Sequence, residues 1–207
     1  MTISYAVTVC DEVEEIKKLL HHLKKNIRFN DDIVIFHDYS KKNDEIANYL
    51  DNLCNTSENI SRYTDTFKGN FADWKNQLNR SCKGDWIFQI DADEIPSEYL
   101  LNNLHLILED TEAEMITVPR VNTVKGITDA HIRRWAWRVN EKGWVNWPDY
   151  QTRIYKNHPN IKWEGKVHEK IQGFNAWASL DPEERWCLYH PKTIERQEKQ
   201  NNYYNTL

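Results

Sequence analysis

Asp85-Trp86-Ile87-Phe88-Gln89-Ile90-Asp91-Ala92-Asp93-Glu94 is the stretch on which the fold turns. Its largely apolar run from Trp86 to Ile90 reads as a strand buried on both faces, the kind found in parallel sheets covered by helices. Three carboxylates follow directly. In an extended chain residues i and i+2 project to the same side about 7 Å apart, so Asp91 and Asp93 are expected to face one cation while Ala92 points away. Ligands bind beyond the carboxyl ends of parallel strands, where these acids fall. A single acid there would read as a turn residue or a cap for the helix that Pro96-Ser97 opens; three, two with matched direction, point to a hard cation. Carboxylates without a neighbouring His or Cys favour Mg2+ or Mn2+ over zinc, and such ions serve substrates carrying phosphate.

On the N-terminal side the same texture repeats. Residues 3–10 form an apolar strand, Asp11 is a candidate N-cap, and Ile16, Leu19, Leu20, Leu23 and Ile27 follow at helical spacing. Asp32-Ile33-Val34-Ile35-Phe36 is a second buried strand, His37–Ser40 a loop, and Ile46, Leu50 and Leu53 the inner face of a second helix. Two βα units imply a parallel sheet. A weaker strand at 59–64 precedes a helix carrying Phe71, Trp74, Leu78 and Cys82, with Gly84 as its expected stop. Beyond the acids, Tyr99, Leu100, Leu104 and Leu108 mark another helix and 114–121 another strand, so residues 1–120 are α/β. The remainder is aromatic and punctuated by Gly and Pro. Arg134-Trp135-Ala136-Trp137-Arg138 reads as a strand with both indoles on one face, and Asn140–Gly143 as a hairpin turn into Trp144-Val145-Asn146-Trp147. Residues 192–207 are polar and helix-like. With no repeat, low-complexity tract or linker, residues 1–207 are expected to form a single domain.

Composition excludes several classes. The 207 residues carry 27 basic and 32 acidic side chains, a net charge of −5, with the two signs interspersed, which argues against a nucleic-acid binder working through a broad basic face. No apolar run approaches the roughly 18 residues of a membrane span, and Met1-Thr2-Ile3-Ser4-Tyr5 shows no charged start or cleavage site, so a cytoplasmic location is expected. Cys10, Cys54, Cys82 and Cys187 form no C-x-x-C pair and read as buried, reduced thiols. Neither G-x-x-x-x-G-K-[ST] nor G-x-G-x-x-G occurs, so phosphate is expected to be held by a metal and side chains. A phosphatase with an aspartate nucleophile places its D-x-D on the first strand before Thr or Val; here Glu94 follows, on about the fourth strand.

Four motifs in order carry a family resemblance: Asn70-Phe71-Ala72-Asp73-Trp74-Lys75-Asn76-Gln77, the 84–94 stretch, Gln151-Thr152-Arg153-Ile154-Tyr155-Lys156-Asn157, and Trp163-Glu164-Gly165-Lys166-Val167-His168-Glu169. The chain resembles family 2 glycosyltransferases of the GT-A fold, particularly bacterial enzymes that build lipopolysaccharide core and similar glycans. The resemblance implies a Rossmann-like α/β fold with a mixed, mostly parallel sheet, residues 1–120 binding a nucleoside-diphosphate sugar (a UDP-sugar favoured) and 121–207 facing the acceptor. It places Thr8, Val9, Cys10, Glu12, Asp38, Lys75, Asn76, Asp91 and Ala92 at the nucleotide. Thr8–Glu12 and His37–Ser40 depart from the usual family stretches, which leaves the base open. For Lys75 a solvated helix face is the competing reading. By resemblance Asp93 binds Mn2+ or Mg2+, Asp91 contacts the ribose or the metal, and a late histidine, His190 or its competitor His168, completes the site. Inverting transfer requires a base for the acceptor hydroxyl; Glu169 matches the family position, with Glu164 the nearest alternative.

Nine tryptophans are present, seven of them after residue 134. Indole faces stack on the C–H faces of sugars, so Trp135, Trp137, Trp144 and Trp147, with His168, are candidates for an acceptor platform; covering the sheet is the alternative for at least half. Arg133, Arg134 and Arg138 suit an anionic glycan, a lipid-linked glycan or contact with a membrane surface. Two other functions stay open: a sugar nucleotidyltransferase, although Thr8–Glu15 lacks its Gly-rich basic loop, and a non-catalytic glycan-binding protein, which the altered base motifs would suit.

Overall fold

The apolar run at 86–90 lies inside a nine-stranded sheet in the computed structural model, which describes residues 1–204, with side chains through Asn202. The last three residues of the expected C-terminal helix region lie outside the described residues. The N-terminal half alternates β1 (Ile3–Val9), α1 (Val13–Asn26), β2 (Asp32–Asp38), α2 (Asp44–Asn55), β3 (Ile60–Asp65), α3 (Phe71–Asn79) and β4 (Trp86–Asp91). The short β5 (Ile95–Pro96), then α4 (Glu98–Asp110) and β6 (Met115–Lys125), follow. The remainder comprises α5 (Asp129–Arg134), β7 (Val145–Lys156), β8 (Lys162–Glu164), β9 (Lys170–Gln172), β10 (Trp177–Ser179), β11 (Leu188–Thr193) and α6 (Ile194–Tyr204).

Strand order is β3-β2-β1-β4-β7-β6-β11-β5, with β10 added beside β6. The first four are mutually parallel, β7 runs antiparallel to both β4 and β6, and β11 is parallel to β6. The carboxyl ends of β1, β2, β4, β6 and β11 therefore share one edge. Alternation along the strands sends Ile3, Tyr5, Val7, Ile33, Ile35, Phe88 and Ile90 toward α1, α2 and α4. It sends Ala6, Val34, Phe36, Ile87 and Tyr155 toward α3 and the separate β8–β9 hairpin. Burying one leucine of the α1 stripe is worth roughly 1.5–3 kcal/mol, so helix positions follow the apolar stripe rather than helix propensity. Among the described residues no helix is long and apolar enough to cross a membrane.

Four local expectations are corrected. The residue before α1 is Glu12, not Asp11; its carboxylate accepts the main-chain N–H groups of Cys10 (2.8 Å) and Asp11 (3.1 Å) as the chain turns out of β1, while Asp11 pairs with Lys41. Gly84 is no helix stop, since α3 ends at Asn79. A Cβ at Gly84 would lie 2.5 Å from the Ser4 main-chain nitrogen, so only glycine lets the turn before β4 close against β1. The Trp135–Trp137 stretch is not a strand. The His131 ring accepts the Thr128 N–H and helps start α5, and the chain leaves the helix through Ala136 at φ 51°, so the two indoles meet across a bend with ring centres 4.7 Å apart. Of the four free thiols Cys82 and Cys187 are buried, but Cys10 and Cys54 are only half-buried.

Candidate active site

The acidic stretch leaves β4 through a tight turn, closed by Glu94 N–H donating to the Asp91 carbonyl at 2.9 Å. It is therefore not extended, and Asp91 and Asp93 do not face one point. Asp91 turns toward the sheet: Thr8 Oγ1–H donates to its Oδ1 (3.0 Å) and Arg153 Nη2 to its Oδ2 (2.6 Å). Ala92 is buried and donates its N–H to the Thr8 carbonyl. Beneath the turn, Arg153 Nη2 also reaches Glu94 Oε1 at 2.6 Å, and Arg120 joins Glu94 (2.9 Å) to Asp149 (2.7 Å). Glu94 is fully buried and its other oxygen accepts the Asp91 N–H. Burial opposes ionisation of Asp91, but the charges of Arg153 and Lys75 and the Thr8 hydrogen bond outweigh it and hold the carboxyl far below the usual range.

Asp93 turns the other way. Its Oδ2 lies 3.3 Å from Nε2 of His190, in β11, and 3.3 Å from Arg196 Nη2 on α6. Burial alone would raise its pKa; His190 and Lys192 overcome that and hold it at about 2. Burial pulls the His190 pKa below its ordinary range, against the pull of Asp93. Asn122 Nδ2 donates to Asp149 (2.8 Å), which directs Asn122 Oδ1 at His190 Nδ1, 2.7 Å away. That acceptor fixes a proton on Nδ1 and turns Nε2 toward the Asp93 carboxylate, with which it hydrogen-bonds at 3.3 Å. When the proton of that hydrogen bond leaves, Nε2 and Asp93 Oδ2 would present a nitrogen and an oxygen donor to one cation. The pair fits Mn2+ or Mg2+ bound through two protein ligands plus phosphate and water oxygens. Among the described residues no group of three His, Cys, Asp or Glu converges, and Asp91, whose oxygens are engaged by Thr8 and Arg153, does not join the pair.

On the α3 side, Lys75 is buried rather than solvated: its ammonium lies 2.6 Å from Glu169 Oε1 and 4.2 Å from the centre of the Trp163 ring. Trp163 is in turn fixed by donating Nε1–H to Tyr155 (3.0 Å). Glu169 is thus held on the inner side of the loop between β8 and β9. Glu164, the alternative base, is exposed and paired with Lys162, and His168 is exposed at φ 56°, whereas His190 stands against Asp93.

The remaining nucleotide candidates divide. Thr8, Val9 and Cys10 line the end of β1, where burial pushes the Cys10 thiol up to about 12. Asp38 ends β2 and accepts from Ser40 N (2.9 Å) and Phe67 N (3.0 Å), tying the loops after β2 and β3 together. Glu12 is engaged with the Cys10 and Asp11 N–H groups and with Arg196. Asn76 faces β8 instead: its amide donates to the Trp163 carbonyl (2.8 Å) and accepts the Trp163 N–H (2.9 Å), a clamp of hairpin to helix.

Of the candidate platform, Trp144 and Trp147 meet edge to face at 4.9 Å and wall an open groove of about 700 Å³ with Lys142, Pro182, Glu183 and Glu184. Trp135 instead stacks on His131 and meets Trp137 at a tilt, and neither indole lines that groove. Sequence reasoning assigned no role to Arg120, Asn122, Asp149, Arg153, Lys192 or Arg196. Arg153 lay within a quoted motif; the others carried no local signal.

A mostly parallel sheet flanked by helices, with an acidic turn at the carboxyl end of its fourth strand, defines the GT-A class of α/β proteins. Residues 4–176 match the glycosyl transferase family 2 model, and the chain belongs to that family. Among solved structures it is similar to Staphylococcus aureus TarS 1–349 in complex with UDP-GlcNAc, with a TM-score of 0.67 and 14% identity over 93% of this chain and 59% of that one. Against S. aureus TarS the TM-score is 0.62 at 14% identity, covering 97% of this chain and 38% of that one. At such identity the likeness is one of fold, and the chain spans about 60% of the length of TarS 1–349. No curated protein matches the chain in sequence.

Proposed function

We propose that this chain transfers a sugar from a nucleoside-diphosphate sugar, a UDP-sugar by preference, to a hydroxyl of a glycan or lipid-linked glycan, with inversion and with Mn2+ or Mg2+. The observation that carries this reading is the convergence of Asp93 Oδ2 and His190 Nε2, 3.3 Å apart at the carboxyl-end edge of the sheet, with the His190 tautomer set by Asn122. The donor preference is supported by the fold likeness to TarS, whose structure holds UDP-GlcNAc. Residues 1–120 form the donor half and 121–207 the acceptor half of one domain.

A divalent ion bound there would neutralise charge on the departing diphosphate. Asp93 and His190 would hold the ion. Asp91, kept ionised by Arg153, is a ribose acceptor on the sheet side. Glu169 takes the proton of the acceptor hydroxyl as its oxygen bonds to the anomeric carbon and the bond to the diphosphate breaks. Lys75 orients Glu169 through their ion pair. The Trp144–Trp147 groove receives the acceptor's sugar faces.

The test is a thermal-shift screen of UDP-, GDP-, dTDP- and CMP-sugars with and without Mn2+, since a ligand that binds the native state raises its midpoint. A Mn2+-dependent shift with a UDP-sugar is expected, absent in Asp93→Ala. Glu169→Gln is expected to keep that shift and lose transfer. Unchanged turnover in Glu169→Gln removes the base assignment, and no shift with any donor favours a non-catalytic glycan-binding protein.

A further inference from the structure

Arg196, in the first turn of α6, joins two sites that the sequence keeps far apart. Its Nη1 lies 2.7 Å from Glu15 Oε1 on α1, and its Nη2 lies 3.5 Å from Glu12 Oε1 and 3.3 Å from Asp93 Oδ2. The guanidinium therefore stands at the same carboxylate oxygen that faces His190 Nε2. A divalent ion on that oxygen would compete with the guanidinium for the same negative charge and repel it. A diphosphate brought in with the ion supplies the anionic oxygens that Arg196 would then lack, and planar guanidinium matches phosphate in a two-point contact.

α6 is built to allow the exchange. None of its described side chains is fully buried. Its polar ties to the rest of the molecule include the ion pairs of Arg196 with α1 and the acidic turn, Glu198 at 3.7 Å from His131, and Gln200 accepting from Lys192. Partly exposed ion pairs are each worth little and are easily traded for better ones. Lys192, immediately before the helix and near Asp93, adds a second positive charge on the same side.

We propose that Arg196 is a diphosphate-binding residue held in reserve on Asp93: it neutralises that carboxylate in the empty protein and passes to the phosphates when cation and nucleotide enter, drawing α6 over the donor. This rests on the donor-site reading above. It makes an unusual pair of demands on one side chain, because the same charge that resists the ion alone assists the ion with nucleotide.

The experiment measures Mn2+ binding by the loss of the free-ion electron paramagnetic resonance signal, and binding of UDP and of inorganic pyrophosphate by calorimetry at saturating Mn2+. Wild type, Arg196→Ala and Arg196→Lys are compared, with folding checked by circular dichroism. Arg196→Ala is expected to bind Mn2+ alone several-fold more tightly and both diphosphates about ten-fold more weakly, the loss of one charge-assisted contact. Arg196→Lys is expected to recover most of both affinities. A merely structural arginine would weaken both kinds of binding or neither, and either result with a wild type that binds overturns the proposal. A wild type that binds neither UDP nor pyrophosphate overturns the donor-site reading and this proposal together.

Discussion

Arg153 satisfies two carboxylates through one nitrogen, Nη2, at 2.6 Å to both Asp91 and Glu94, while its Nε, also buried, has no hydrogen-bond partner among the described residues. It is the counter-charge that lets an ionised turn sit on a packed sheet. Removing one member of a buried ion pair leaves the others uncompensated, at a penalty of about 3–5 kcal/mol. Arg153→Met is therefore expected to lower stability by about that amount, read from the urea midpoint at constant m-value; a loss under 1 kcal/mol would show that water reaches the site and replaces the guanidinium. The sequence exposed Asp91, Asp93 and Glu94 because three acids after an apolar strand are locally odd. It did not expose Arg153 as their partner. That pairing arises because β7 lies antiparallel beside β4, with Phe88 opposite Ile154, a register set by packing over 60 residues of separation. Asn122 escaped notice for the same reason: its role exists only because β11 pairs with β6, placing His190 opposite it.

At the scale of elements, signals confined to one turn of chain were legible. Ser97 was expected to open a helix, and its Oγ accepts the Leu100 N–H at 3.0 Å while donating to the Arg185 carbonyl. Loss of such a cap costs about 1 kcal/mol. Ser97→Ala is expected to lower the thermal midpoint accordingly, without altering Mn2+ binding; an unchanged midpoint would mean that β5 and the single 3-10 turn at Glu184–Trp186 hold the start of α4 unaided. Elements whose form depends on what lies across from them were not legible. Trp135-Ala136-Trp137 alternates as a strand would, yet among the described residues no strand pairs with it, and His131 instead helps begin a short helix. Gly84 was equally ambiguous: a glycine after a helix suggests a stop, and only the approach of Ser4 shows that the constraint is steric and comes from β1.

For the whole molecule, the buried acids tie stability to pH. Asp91 and Asp93 both have folded pKa values below the unfolded value of about 3.9, Asp93 at about 2. A depressed carboxyl contributes stability that is complete above its unfolded pKa and is lost as pH falls through its folded pKa. The thermal midpoint is thus expected to hold from neutrality to about pH 5 and fall steeply between about pH 4 and 2, a fall that Asp91→Asn makes shallower. Melts followed by circular dichroism across that range check it; a midpoint independent of pH from 4 to 2 would mean that neither acid is bound more strongly in the folded state.

What the sequence determined by itself is the alternation of apolar strands and amphipathic helices through residue 120, the acids at the end of β4 and the family. These follow from periodicity, capping and contiguous motifs, all of which act within a few residues. What only the tertiary structure decided is which groups meet: Asp91 with Arg153, Asp93 with His190 and Arg196, Lys75 with Glu169. Those contacts join positions up to 103 residues apart, and they are set by strand order, by a turn that sends neighbouring carboxylates in opposite directions and by the burial that makes each charge require a partner.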